Sequence, residues 1–150
     1  MKLVVDASVI VKWALPDPEQ EPHAGLALDL LDEVRAGKVE LLQPPHWIAE
    51  VSAVLTRLRP EIVEEVIDLL SALNVQVVTD PVIYKRASRI AQDLGKHVFD
   101  SLYHAVALEY GTFLVSADSN YSLKARRLGS LIPLALWKGA GELTRGRSGS

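Results

Sequence analysis

Apolar residues arrive along this chain in two alternating patterns: short unbroken runs, and longer stretches in which they recur at helical spacing. Leu3, Val4 and Val5 form the first run, the signature of a central strand buried on both faces of a parallel sheet. Asp6 follows at once, and Ser8 with Val9, Ile10 and Val11 reads as a short helix leaving the sheet. The proline- and acid-rich stretch 16–22 is a loop or helix lead-in. Leu26, Leu30, Leu31 and Val34 predict an amphipathic helix over 23–37, stopped by Gly37, and residues 40–42 a second strand.

Pro45 suits a first helical turn, and Trp47, Ile48, Val51, Val54, Leu55 and Leu58 carry one apolar stripe from there to 58. Pro60 ends that helix, and a second runs from Ile62 through Leu73. A strand over 76–78 leads to a helix that Asp80-Pro81 opens and Gly95 stops. The next helix covers 99–110 and closes at Gly111. Residues 113–115 form the fourth strand, 121–128 a basic helix, and 131–134 a last short strand. Strands alternating with helices imply right-handed crossovers, a parallel sheet and helices on both of its faces, hence a three-layer α/β/α sandwich.

This order gives four acids a shared address. Asp6 and Asp118 each follow a strand, Asp100 sits in a first helical turn, and Glu50 lies at the edge of its helix's apolar stripe. Taken singly, Asp6 and Asp118 are helix N-caps and Asp100 complements a helix dipole. Together they fall at the carboxyl edge of a parallel sheet, where open α/β folds form their crevice. Carboxylates gathered there repel one another unless a cation neutralises them, and Mg2+ or Mn2+ prefers all-oxygen sites. Ser8 and Ser116 flank the site as hydroxyls able to orient water or a carboxylate. Asn120 is either a further neutral ligand or a loop asparagine.

At 150 residues the chain is long enough for one domain, here residues 1–138, with a Gly/Ser/Arg-rich tail over 139–150 predicted to be disordered. The last residues of that tail are either native or appended. The absence of cysteine excludes disulfides, thiolate metal sites and thiol nucleophiles. No apolar run reaches the ~18–20 residues that span a bilayer, and no basic leader precedes the first strand, so a cytoplasmic protein is expected. Net charge is −3 but polarised: residues 1–75 hold 6 Lys/Arg against 13 Asp/Glu, and residues 76–150 hold 10 against 6. An acidic total argues against a general nucleic-acid coat and leaves room for a basic rim. Lys12, Lys124, Arg126 and Arg127 are the candidate phosphate contacts; Lys85, Arg86 and Arg89 read as a solvated helix face. His97 and His104 flank Asp100 in sequence and are assigned structural roles.

Three segments, VVDASVIVKW, PPHWIAEVSAVL and HVFDSLYHAVALEYGTFLVSADSNY, resemble a PIN-domain nuclease, and more closely a VapC-type toxin of a toxin–antitoxin pair. The resemblance spans residues 2–134. It matches Asp6 and Ser8 to the family's first acid and hydroxyl, Glu50 to the glutamate after a Pro-rich helix start, Asp100 with Ala105 and Ala107 to the third acid's helix, and Ser116 and Asp118 to the last acid. Where some relatives carry one more acid this chain has Asn120, which puts a full second metal site in doubt. The resemblance implies a Mg2+- or Mn2+-dependent endoribonuclease, a homodimer, and an antitoxin partner that blocks the acidic site. Divalent ions in such a site supply an activated water and neutralise charge at phosphorus, which requires no 2′-hydroxyl nucleophile and leaves a 5′-phosphate. Trp13, Trp47 and Trp137 are either interface anchors or core residues. Two rival readings are a non-catalytic PIN-like RNA- or protein-binding module and an aspartate-based phosphotransfer domain. For the latter, Ser8 stands where the haloacid-dehalogenase type needs a second acid.

Overall fold

The computed structural model describes residues 1–15, 17 and 21–143 and holds the elements in the order that the hydrophobic pattern predicts. Strands β1 (Lys2–Val5), β2 (Glu40–Gln43), β3 (Val75–Val77), β4 (Phe113–Ser116) and β5 (Leu131–Pro133) form one parallel sheet in the order β3-β2-β1-β4-β5. The helices are α1 (Ala7–Ala14), α2 (Ala24–Arg35), α3 (Trp47–Leu58), α4 (Val63–Ser71), α5 (Pro81–Leu94), α6 (Val98–Glu109) and α7 (Ser119–Ala125).

Strand order and crossover handedness fix the layers. The chain steps from β1 to β2 to β3 in one direction through α1–α4, then returns past β1 to β4 through α5 and α6. Right-handed crossovers made in opposite directions put their helices on opposite faces. The packing agrees: α1 lies against α2 and α3, α3 against α4, and α5 against α6, which itself covers β1 and β4. The result is a three-layer α/β/α sandwich. The direction reverses between β1 and β4, which pair directly as Leu3↔Phe113, Val4↔Leu114 and Val5↔Val115. Their carboxyl ends flank the switch point, where doubly wound sheets open a crevice.

β1 is the core's axis. Leu3, Val4 and Val5 are each wholly buried, because helices cover the strand on both faces. Burial obliges every backbone polar group to find a partner. Where the β1–β2 register ends at Leu3↔Leu41, the wholly buried Gln43 takes over. Its amide accepts from the Val5 N–H and donates to the Val5 carbonyl, both at 2.8 Å. Its own carbonyl accepts from the Val78 N–H. Gln43 thus extends the ladder to both sides, by its side chain to Val5 and by its backbone to Val78.

Boundaries shift where local chemistry wins. The helix expected from Pro45 starts at Trp47, because the chain turns at 44–46 with the Trp47 N–H on the Pro44 carbonyl. The basic helix expected over 121–128 starts earlier, at Ser119, and tightens into a 3-10 turn over Arg126–Leu128. The tail predicted from 139 is ordered at its start: residues 140–143 are helical, and the Ala140 N–H donates to Glu33 Oε2 at 2.9 Å. The rest of the tail, 144–150, lies outside the described residues, as does most of the 16–22 loop. Trp47 and Trp137 are buried in the core, and the Trp13 indole donates to the Ala27 carbonyl at 2.7 Å, so the tryptophans brace the fold from within. Among the described residues no helix is long and apolar enough to cross a membrane.

Replacing Gln43 by Leu keeps the volume and strands two buried backbone groups. We expect a loss of roughly 2–6 kcal/mol, at about 1–3 for each unsatisfied group, measured as a lowered urea midpoint at unchanged slope. An unaltered midpoint would show that the amide clamp contributes nothing.

Candidate functional site

The switch point is built by a chain of short-range hydrogen bonds that joins the two strand ends. Asp6 caps α1, with Oδ2 accepting from the Ser8 N–H at 3.0 Å. The Ser8 hydroxyl accepts from the Ala117 N–H at 3.0 Å, on the far side of the switch point. The Ser116 hydroxyl accepts from the Asp118 N–H at 3.1 Å, and Asp118 caps α7 through the Tyr121 N–H at 3.0 Å. The cap reading and the site reading of Asp6 and Asp118 are therefore compatible. Each of these caps engages one carboxylate oxygen and leaves the second to other partners. Ser8 and Ser116 hold the two connections in register.

Glu50 and Asp100 arrive from helices in different layers. Glu50 lies in the first turn of α3 and Asp100 in the first turn of α6, both half-buried. His46 sits between those helix starts. Its Nε2 lies 2.9 Å from the Phe99 carbonyl and 3.1 Å from Glu50 Oε2. A carbonyl only accepts, so Nε2 carries the proton, and its bond to Phe99 ties α3 to α6. The His46 ring also packs on those of Phe99 and Tyr103, with centroids 5.5 and 4.9 Å away. Glu50 Oε2 is buried against the His46 Nε2–H, and its charge reaches the buried Tyr103 hydroxyl.

The four acids feel one another. Burial pushes the Asp6 carboxyl up to about 6, against the Ser8 hydrogen bonds that lower it, and the charges of Glu50 and Asp100 push it further the same way. Asp100 is also raised, by burial first and then by Glu50 and Asp118; His97 and Lys96 counter this. Tyr103 is raised by burial and by Glu50, Asp6 and Asp100. Like charges in partial burial are the condition under which a divalent cation binds. The donor set is oxygen throughout and the carboxylates repel one another in partial burial, so the residues fit a hard cation. Among the described residues no three such side chains stand in a ready-made ligating group. Proximity here means Coulombic range.

The surrounding basic residues divide sharply. Lys12, expected as a free cation at the rim, is buried and pairs with Glu21 at 2.9 Å. Asn120 accepts from Lys96 Nζ at 3.0 Å, so it faces an ammonium group. Lys124, Arg126 and Arg127 are exposed on α7 and the turn after it. His104 is structural, as expected: wholly buried, with Nε2 on the Gly129 carbonyl at 2.7 Å and Nδ1 on the Tyr121 hydroxyl at 2.9 Å. Burial holds it below the usual imidazole range. His97 is exposed at the start of α6. Sequence reasoning missed His46, Tyr103 and Lys96. The first two carried a signal, since His46 stands four residues before Glu50 and Tyr103 three after Asp100. Lys96 had none, because its nearness to Asp100 depends on the left-handed turn at Gly95.

Known proteins share this architecture. A Pyrobaculum aerophilum protein, PAE2754, superposes with a TM-score of 0.61 at 21% identity, covering 90% of each chain. VapBC2 of Rickettsia felis, solved with a DNA fragment from its promoter, matches with a TM-score of 0.58 at 14% identity over 89% of this chain and 97% of that one. FitAcB of Neisseria gonorrhoeae matches with a TM-score of 0.57 at 19% identity, covering 90% and 99%. At these identities the likeness is one of fold. No curated protein matches the sequence. The family model of the PIN domain matches residues 3–127. A parallel sheet whose switch point gathers four acids, within a chain matched over most of its length by that model, makes this protein a member of the PIN domain family.

Proposed function

We propose that the chain is a Mg2+- or Mn2+-dependent endoribonuclease and the VapC-type toxin of a toxin–antitoxin pair, working in the cytoplasm. The observation that carries this is the convergence of Asp6, Glu50, Asp100 and Asp118 within Coulombic range at the β1/β4 switch point. These four would hold the ion. Bound there, it supplies water activation and charge neutralisation at the scissile phosphate. The protein's own residues do the rest. The caps on α1 and α7 fix the directions of Asp6 and Asp118. Ser8 and Ser116 lock the two connections together, and His46 holds the starts of α3 and α6 at a set separation. Lys124, Arg126 and Arg127 are the exposed cations that would contact flanking phosphates. Asn120, turned to Lys96, acts outside the ligand set.

The toxin role draws on one similarity and one surface feature. VapBC2 and FitAcB are among the structural neighbours, and an apolar groove of about 80 Å3 runs between α1, α2 and α4. Ile10, Trp13, Leu31, Val66 and Leu70 line it, and Leu69 stands 56% exposed at its margin. An antitoxin segment with apolar anchors fits that groove, and the aliphatic surface of α3 and α4 suits a homodimer.

Two outcomes are expected. Single-stranded RNA should be cut with 5′-phosphate ends in Mg2+ or Mn2+, not at all in EDTA, and about 100-fold or more slowly by Asp6→Asn, which keeps the cap but not the charge. Cleavage in EDTA, or an unimpaired Asp6→Asn variant, would remove the mechanism; tight RNA binding without cleavage in any metal would favour a non-catalytic module. Leu69→Asp should weaken binding of an antitoxin encoded in the adjacent reading frame by about tenfold or more while leaving the melting temperature within a few degrees, by calorimetric titration. Undiminished affinity would place the antitoxin elsewhere.

A further inference from the structure

Lys96 brings a cation to the acidic edge without surrendering its charge. Gly95 ends α5 in the left-handed conformation, and the Lys96 N–H returns to the Ala91 carbonyl at 3.0 Å. The backbone of Lys96 is thereby fixed four residues ahead of Asp100. Its half-buried side chain crosses to α7, where Nζ donates to Asn120 Oδ1 at 3.0 Å. Asn120 stands two residues after Asp118. The ammonium therefore bridges the segments that carry Asp100 and Asp118, and its charge reaches Asp100 against the push of Glu50 and Asp118.

The kind of partner matters. Lys12, Arg59 and Arg86 each lie against a glutamate, which cancels their charge locally. Asn120 is neutral, so it holds the Lys96 ammonium in place and leaves the charge in force. That bond takes one of three N–H donors. A compact point charge on a flexible four-carbon stem needs such a hold before it can meet a ligand at a set position.

Charge balance gives this cation a role. Four ionised carboxylates with one divalent ion still sum to two negative charges, and attack on a phosphodiester builds more on the phosphate oxygens. Two-metal sites meet that demand with a second ion beside the first. A lysine ammonium aimed at the reacting phosphoryl group meets it as a fixed point charge. We propose that this site works with a single divalent ion, and that Lys96 takes the place of a second by binding a non-bridging oxygen of the scissile phosphate. This rests on the nuclease reading. Lys96 forms no covalent bond and gives up no proton; it neutralises charge while water adds to phosphorus and the 3′-oxygen leaves.

Titration with Mn2+, followed by calorimetry and by loss of the free-ion electron paramagnetic resonance signal, separates the proposal from that reading. The wild type should bind one Mn2+ per chain. Lys96→Met keeps the stem and removes the charge, so it should bind Mn2+ about threefold more tightly, because a neighbouring cation no longer opposes the ion. The same variant should cut single-stranded RNA about 50-fold or more slowly in single turnovers at saturating metal. A lysine that only braced the fold would weaken metal binding and cleavage together. Lys96→Arg, which keeps the charge, should recover cleavage to within about tenfold of the wild type. Two Mn2+ per wild-type chain, unimpaired cleavage by Lys96→Met, or weaker Mn2+ binding by that variant would each overturn the role of Lys96 and leave the nuclease reading standing. A wild type that binds Mn2+ and cuts no RNA would sink the nuclease reading and the proposal with it.

Discussion

Everything at the functional edge depends on holding like charges closer together than they would choose. Asp6, Glu50, Asp100 and Asp118 enter from four separate stretches of chain, and each of the two aspartates with a shifted carboxyl feels at least two of the others. Repulsion of that kind is tolerated only where the surrounding structure over-determines the positions. Backbone amides do so here: Ser8 and Tyr121 N–H groups hold Asp6 and Asp118 by their helix caps, where the helix dipole also favours negative charge. The folded protein thus stores an electrostatic tension that a divalent cation would release.

The layers behind the site supply that rigidity. β1 has no solvated face, so its end cannot drift, and Gln43 completes its hydrogen bonding up to the residue before Asp6. The serine pair joins the ends of β1 and β4 across the switch point, and His46 bridges the starts of helices from opposite layers. Cations are kept at graded distances. Lys96 tempers Asp100 and holds Asn120, Lys12 is sequestered by Glu21, and the exposed Lys124, Arg126 and Arg127 stand on the segment that follows Asp118. The polarised sequence, acidic in its first half and basic in its second, is the one-dimensional trace of this arrangement.

The fold was legible because its signals are local. The run Leu3-Val4-Val5 and the stop at Gly95 state their roles within a few residues, and the alternation of strand and helix forces the layers. The acids' common neighbourhood was legible because parallel topology sends strand ends and helix starts to one edge. His46, Tyr103 and Lys96 were not, since each reaches the site across a tertiary contact that no spacing encodes in full. Lys12 misled for the same reason. Its position one turn after Ser8 says where it starts, and only the fold reveals that Glu21 receives its charge. The order over residues 140–143 was also hidden, because it depends on Glu33, over a hundred residues earlier, accepting from Ala140.

The most direct test is stability as a function of pH and metal. Burial raises the Asp6 carboxyl from its ordinary value near 3.8 to about 6. Between those values the folded protein holds a proton that the unfolded chain has released, so the metal-free protein should lose stability as pH rises through that window. At pH 7 without metal, Asp6→Asn should melt higher than the wild type, and millimolar Mg2+ or Mn2+ should raise the wild-type melting temperature by several degrees while moving Asp6→Asn little. A wild type indifferent to both ions, melting no lower than Asp6→Asn, would mean that the acids at the switch point carry no tension and hold no cation.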